Sequence, residues 1–263
     1  MASTAFGTAY FGVRDPDHAA RDLEAIAAAG HSWVLLPMTQ DDAAWEVTTF
    51  RLLADRARSA GLVPIVSPWG GLDFGGEGIP GPLSVAGWLD RARDTGIEIL
   101  HVDEPKAATT TIADVLDLWA GPRWLTIEPT RVARVTPADL GQIDVVGTDA
   151  YDGDVAARVV ATEAAREALG RLDLAWVQAF RIRAGEEVAV GAAVEAMAAL
   201  APRAGVWAWK GSTGRGDLRS DRPEAVGAAV AAAIARVRAG GPEALPDRGA
   251  DIGSAAAIGE GRA

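Results

Sequence analysis

Hydrophobic and polar positions along the chain alternate between two rhythms. Short apolar runs rich in Val, Ile and Trp predict strands at Thr8–Val13, Ser32–Pro37, Leu62–Ser67, Ile97–Val102, Trp124–Ile127, Val145–Thr148, Leu174–Ala179 and Gly205–Trp209. Longer stretches with helical spacing lie between them, and several stop at a glycine. His18–Ala29 stops at Gly30, Val47–Ala60 at Gly61, Leu83–Thr95 at Gly96, Ala156–Leu169 at Gly170 and Arg222–Ala239 at Gly240. Thr111–Ala120 and Glu186–Ala201 fill two more gaps. Thr136-Pro137-Ala138-Asp139 opens a short helix, with Thr as N-cap and Pro at the first helical position. Strand starts recur at about 28 residues, the length of one βα unit.

Eight strand–helix units predict an α/β chain forming a single (β/α)8 TIM barrel over residues 1–240. A doubly wound sheet does not fit, since no Gly-x-Gly-x-x-Gly follows the first strand. Beyond Gly240 the pattern dissolves into Gly, Ala, Pro and charge, which predicts a flexible tail over 241–263.

One stretch stands out, Ile97-Glu-Ile-Leu-His-Val-Asp103-Glu104-Pro105. It alternates like a buried strand and then delivers two adjacent acids before a proline that takes the chain out of the sheet. Burying charge at the end of a core strand is costly, so such a pair points to a working site. Barrels of this kind carry their sites at the C-terminal strand ends. Those ends hold Tyr10 on strand one, Trp69 after strand three, Asp103 and Glu104 on strand four, and Glu128 on strand five. Asp149 and Tyr151 follow on strand six, Gln178 on strand seven, and Trp207, Trp209 and Lys210 on strand eight. This ring of acids, amides and aromatics suits a saccharide. Aromatic faces cover the CH face of a sugar, polar groups bind its hydroxyls, and carboxylates do acid–base work on the glycosidic bond. Of nine tryptophans, Trp33, Trp88, Trp119, Trp124 and Trp176 fall at core positions, whereas Trp69, Trp207 and Trp209 lie at or near the mouth.

Composition narrows the partners. A formal charge of −11 disfavours nucleic acid and anionic membrane surfaces. No apolar run approaches a membrane span, and the N-terminus lacks the features of a signal peptide. The expected location is therefore cytoplasmic, or secreted after removal of a leader. With no cysteine there are no disulfides or thiolate metal sites. Only His18, His31 and His101 are present, with no paired-histidine motif, so no metal site and no cofactor is expected; His101 fits a core histidine. Glu104, Glu128 and Asp149 carry the hard oxygen ligands that Mg²⁺ takes. The loop from Gly211 to Gly216 could hold a phosphate on backbone N–H groups, with Arg181 and Arg183 near it. Lys210 is better suited to an ion pair or a substrate hydrogen bond than to a Schiff base.

The barrel from Thr8 to Ala239 resembles a (β/α)8 glycoside hydrolase. Val102-Asp103-Glu104-Pro105 is similar to the Asn-Glu-Pro of clan A retaining enzymes, with Asp in place of Asn. That resemblance implies Glu104 as general acid/base, but it places a nucleophilic Glu where this chain has Gln178. The adjacent Asp-Glu pair also resembles substrate-assisted N-acetylhexosaminidases, and Ala150-Tyr151-Asp152 resembles the Ala-Tyr-Asp of family 18 chitinases. There the Glu protonates the leaving oxygen, the Asp orients the acetamido group that acts as nucleophile, and the Tyr helps hold it. An inverting route would instead pair Glu104 with Asp149 or Glu128 as base. The expectation is a glycosidase with Glu104 as proton donor and Asp103, Asp149 and Glu128 in support. Tyr10, Trp69, Tyr151, Gln178, Trp207, Trp209 and Lys210 are the expected saccharide contacts. A non-catalytic carbohydrate-binding barrel and a Mg²⁺-dependent lyase or isomerase acting on a phosphosugar are the alternatives.

Overall fold

The computed structural model describes residues 4–14, 16–38, 47–68, 85–105, 117–211 and 218–240. Eight parallel strands close into a barrel in chain order, the last pairing with the first. They are β1 Ala5–Ala9, β2 Trp33–Pro37, β3 Val63–Ser67, β4 Ile99–Asp103, β5 Arg123–Ile127, β6 Val145–Thr148, β7 Leu174–Gln178 and β8 Arg203–Trp207. The helices are α1 Ala19–Ala28, α2 Val47–Ser59, α3 Val85–Asp94, α4 Pro137–Leu140, α5 Val155–Leu169, α6 Glu187–Leu200 and α7 Pro223–Gly240. The expected helix Thr111–Ala120 falls largely outside the described residues, as does the tail 241–263. Among the described residues no helix is long and apolar enough to cross a membrane.

Local signals act where the sequence puts them. Thr136 and Asp139 form a reciprocal capping box at the start of α4. Gly30, Gly61, Gly96 and Gly170 follow their helices with φ between 69° and 94°, which a Cβ would resist. Two strand positions differ from the pattern. β1 and β8 begin earlier than the apolar runs suggest, because their last aromatics lie beyond the ladder. Tyr10-Phe11 is followed by a 3₁₀ turn at Gly12–Arg14, and Trp209 opens another at Trp209–Gly211.

Strand alternation sorts the side chains into two layers. Outward residues such as Val34, Val66, Leu100, Val102 and Leu125 join one shell core under the helices. Phe6, Val177, Ala204 and Val206 join a second under α6 and α7. Inward residues fill the barrel, and aromatic rings are prominent among them. Trp33 meets Trp124 edge-on at 5.1 Å and Trp176 at 5.6 Å, and Trp176 meets Trp207 at 5.6 Å. Such edge-to-face pairs add to the burial of the rings.

This filling depends on two small residues. A Cβ at Gly7 would lie inside the Trp33 indole, and one at Gly205 inside the Trp176 indole. Gly7→Ala is therefore expected to cost about 1–3 kcal/mol, read as a lower urea midpoint. An unchanged midpoint would show that the indoles have room to move.

Candidate active site

The same alternation aims the strand ends. In β4 His101 points inward and Val102 outward, which puts Asp103 on the inward register at the C-terminal mouth. Glu128, Asp149, Gln178 and Trp207 follow inward residues of β5 to β8 in the same way. Glu104 would alternate outward, but its backbone turns into the left-handed region at φ 40°. Non-glycine residues rarely adopt that conformation, and it is concentrated at functional sites. Among the described residues only Glu104, Arg181 (φ 54°) and Lys210 (φ 46°) share it, and all three follow strand ends.

The result is a carboxyl cluster. Asp149 is buried, and the Glu104 carboxyl together with the charges of Glu104, Asp103 and Glu128 all act on it. Burial first, and then these neighbours, push its pKa well above the ordinary carboxylate value. Its Oδ1 is buried without a hydrogen-bond partner. Tyr151 lies beside the cluster, edge-on to Phe180 at 5.4 Å. Its phenol is pushed up by burial and by the charges of Asp149, Asp103 and Glu104, so it stays a donor.

Two arginines, which the sequence pattern does not single out, flank the acids. Arg131 pairs with Glu128 at 3.0 Å and donates to the Glu104 carbonyl oxygen at 3.2 Å. Arg158, in the first turn of α5, donates to Gln178 Oε1 at 3.1 Å and to the Gly153 carbonyl. Gln178 Nε2 donates to the Phe180 carbonyl at 3.2 Å, so both ends of this amide are held. The place of Arg158 just after the strand-six exit is the only sequence signal for it.

A buried polar layer supports the cluster from below. His101 Nδ1 is 3.0 Å from Ser67 Oγ, and its Nε2 is 2.8 Å from Thr126 Oγ1, which also accepts from Trp176 Nε1 at 2.8 Å. The Thr126 carbonyl takes the Glu104 N–H at 3.0 Å, tying that layer to the catalytic candidate. His101 is thus a satisfied core histidine, its pKa lowered to about 3 by burial.

The structure places the remaining expected contacts as follows. Trp207 is buried in the barrel interior against Trp176 and Phe11, in register with Gln178. Tyr10 faces the outer shell instead, and its hydroxyl donates to Asp22 of α1 at 3.0 Å. Trp209 is likewise buried in the shell, edge-on to His31 at 5.8 Å. Lys210 reaches outward to Glu224 of α7 at 2.9 Å. These three residues lie beyond or at the margin of the ladders, where alternation no longer fixes which way a side chain points. Tyr10 and Trp209 therefore turn their apolar bodies into the shell, and Lys210 takes an ion pair there, so none of the three joins the carboxyl cluster. Trp69 and the loop 212–217 lie outside the described residues. Among the described residues no three His, Asp or Glu side chains are arranged to hold a metal ion.

No family model and no curated protein sequence matches the chain. Solved structures do. A GH5_18 protein from Streptomyces cattleya, in complex with GlcNAc, is 15% identical, with a TM-score of 0.64 over 91% of this chain and 82% of that one. A GH113 beta-1,4-mannanase is 15% identical, with a TM-score of 0.60 over 89% of this chain and 99% of that one. The GH113 beta-mannanase from Alicyclobacillus acidocaldarius, in complex with ManMIm, is 19% identical, with a TM-score of 0.55 over 90% and 97%. What the chain shares with these glycoside hydrolases, at such identities, is the (β/α)8 barrel along nearly its whole length.

Proposed function

We propose that the protein is a glycoside hydrolase-like enzyme in which Glu104 protonates the leaving oxygen. The observation that carries this reading is the strained Glu104 at the strand-four exit, beside the buried Asp149 at the barrel mouth. A carboxylic acid positioned at a strand exit can protonate a leaving oxygen as a general acid. The fold neighbours solved with sugar ligands support a saccharide as its substrate.

The geometry narrows the route. An inverting pair needs carboxyls about 6.5–9.5 Å apart with a water between them. Glu104 acts directly on the buried Asp149, which argues against Asp149 as a base working across an intervening water. A retaining pair needs a nucleophilic carboxylate, and Gln178 cannot supply one. A nucleophile carried by the substrate meets both conditions. Asp103 on the inward register beside Glu104 would orient a 2-acetamido group, with the Tyr151 hydroxyl as a further donor.

The test is a panel of aryl N-acetylhexosaminides and plain aryl hexosides, with and without chelator. Turnover of N-acetylhexosaminides that ignores the chelator is expected. Turnover confined to plain hexosides would remove the acetamido route, and loss of activity with chelator would favour a metal-dependent reaction. One observation favours a second reading, a barrel that binds saccharide without cleaving it: Gln178 is locked at the strand-seven position by Arg158 and the Phe180 carbonyl. Saccharide binding with no turnover of any member of the panel would establish that reading instead.

A further inference from the structure

We propose that Arg158 is a positioning residue: it fixes the Gln178 amide with an N–H toward the barrel mouth, where that N–H receives the carbonyl oxygen of a substrate's 2-acetamido group. The inference rests on the reading of the mouth as a saccharide site. It starts from the chemistry of the two partners that hold the amide. An arginine guanidinium only donates, so the Gln178 atom 3.1 Å from Arg158 Nη2 is the amide oxygen. A peptide carbonyl only accepts, so the atom 3.2 Å from the Phe180 carbonyl oxygen is the amide nitrogen. Turning the amide over would set donor against donor and acceptor against acceptor. The network therefore allows one orientation.

The clamp comes from outside the ladder. Arg158 lies in the first turn of α5, which is capped by Asp154 accepting from the Ala157 N–H at 2.8 Å. Its Nε donates to the Gly153 carbonyl at 3.1 Å, which anchors the guanidinium beside the strand-six exit. Among the described residues both its hydrogen bonds go to neutral oxygens. A charged donor makes the stronger bond, so Arg158 contributes more to the hold on Gln178 than Phe180 does. Gln178 ends β7 on the inward register and is partly open, whereas Val177 and Ala179 on either side are buried. Its amide carries two N–H groups, and among the described residues only one is taken. The other is left for the mouth.

The mouth is then sorted by kind. The exits of β4 and β5 bring carboxyl oxygens, on Asp103 and Glu128. The exits of β6 and β7 bring the Tyr151 phenol and the Gln178 N–H, and the Tyr151 ring packs edge-on against Phe180 at 5.4 Å, beside the clamp. A secondary amide fits such a division, with its N–H toward Asp103 and its carbonyl toward Gln178. A hydroxyl gains nothing from it, because it rotates to donate or to accept. A fixed amide discriminates only for a group that cannot reverse its role.

The experiment joins side-chain NMR to calorimetry. The Gln178 side-chain amide, assigned through its own backbone, should be rigid in wild type by nitrogen-15 relaxation. It should become mobile in Arg158→Met, which keeps the aliphatic stem and loses the fork. Titrating wild type with methyl N-acetyl-β-glucosaminide should shift one of the two amide protons, the one not bonded to Phe180. Affinity for that glycoside should fall about tenfold in Arg158→Met, the worth of one well-placed hydrogen bond. Affinity for methyl β-glucoside should change less than about twofold, since its hydroxyl follows the amide. Gln178→Met should show the same loss for the acetamido sugar, and adding Arg158→Met to it should cost nothing more. Equal weakening of both glycosides by Arg158→Met overturns the proposal, because a merely structural arginine does that. An amide equally mobile in wild type and variant overturns the clamp, even where both glycosides bind. The wild-type titration needs no variant to fold, and a bound acetamido sugar that leaves both Gln178 protons unmoved overturns the contact. A wild type that binds neither glycoside overturns the saccharide reading itself, and the acetamido contact with it.

Discussion

Replacing Glu104 by glutamine is expected to lower turnover by about 10²–10⁴-fold, the usual contribution of a positioned general acid. Binding of a non-hydrolysed saccharide should be nearly unchanged. Glutamine matches glutamate in shape and still accepts a hydrogen bond through its amide oxygen. It cannot release a proton to a leaving oxygen. The effect should therefore appear in kcat, with KM little altered. The φ of 40° at this position is shared by both variants and adds no difference. Steady-state kinetics and calorimetric binding on the same preparations measure the two halves of the expectation. Equal turnover by both proteins would end the role assigned to Glu104.

Acid should destabilise the fold through its two buried histidines. His31 and His101 are both lowered from 6.5 to about 3, chiefly by burial. Between those values the unfolded chain binds more protons than the folded one, so stability rises with pH and is lost as pH falls through 6.5. The slope is about 1.4 kcal/mol per pH unit for each histidine, or roughly 4 kcal/mol for the pair between pH 7 and 5. That is a large part of the 5–15 kcal/mol that holds an ordinary domain together. Asp149 works in the opposite direction. Its raised value means that the folded state holds the extra proton above the ordinary aspartate range, so its contribution falls as pH rises there. Wild type should therefore show a flatter stability profile between pH 5 and 7 than Asp149→Asn, in which the histidines act unopposed. Urea midpoints at pH 5, 6 and 7 measure this. Parallel profiles in the two proteins would mean that Asp149 titrates normally.

Much of the barrel was legible because its signals are local. Strand periodicity, helix-ending glycines and the Thr136 cap each depend on neighbouring residues, and each acts where it is written. Alternation was enough to bring Asp103, Glu128, Asp149 and Gln178 to one mouth once the strands closed. It failed at Tyr10, Trp209 and Lys210, which lie at or past the ends of their ladders, where the period of two no longer applies. Tyr10 follows β1 and pairs with Asp22, while Lys210, in the left-handed region, pairs with Glu224.

What the sequence hides is contact between distant elements. Nothing in Asp149 announces that it will lie beside Glu104, 45 positions earlier by numbering, because that depends on the register of β4, β5 and β6. Arg131 and Arg158 were equally silent among so many arginines. Each matters only because its guanidinium meets a strand end from outside the ladder, at Glu128 and at Gln178.

The most direct test of the central claim follows the first product by proton NMR, with an aryl N-acetylhexosaminide as substrate for wild type and Glu104→Gln. A substrate-borne nucleophile with Glu104 as acid predicts that the first-formed sugar keeps the anomeric configuration of the substrate, and that the variant forms almost none. Inverted product, or equal product from the variant, would contradict the account.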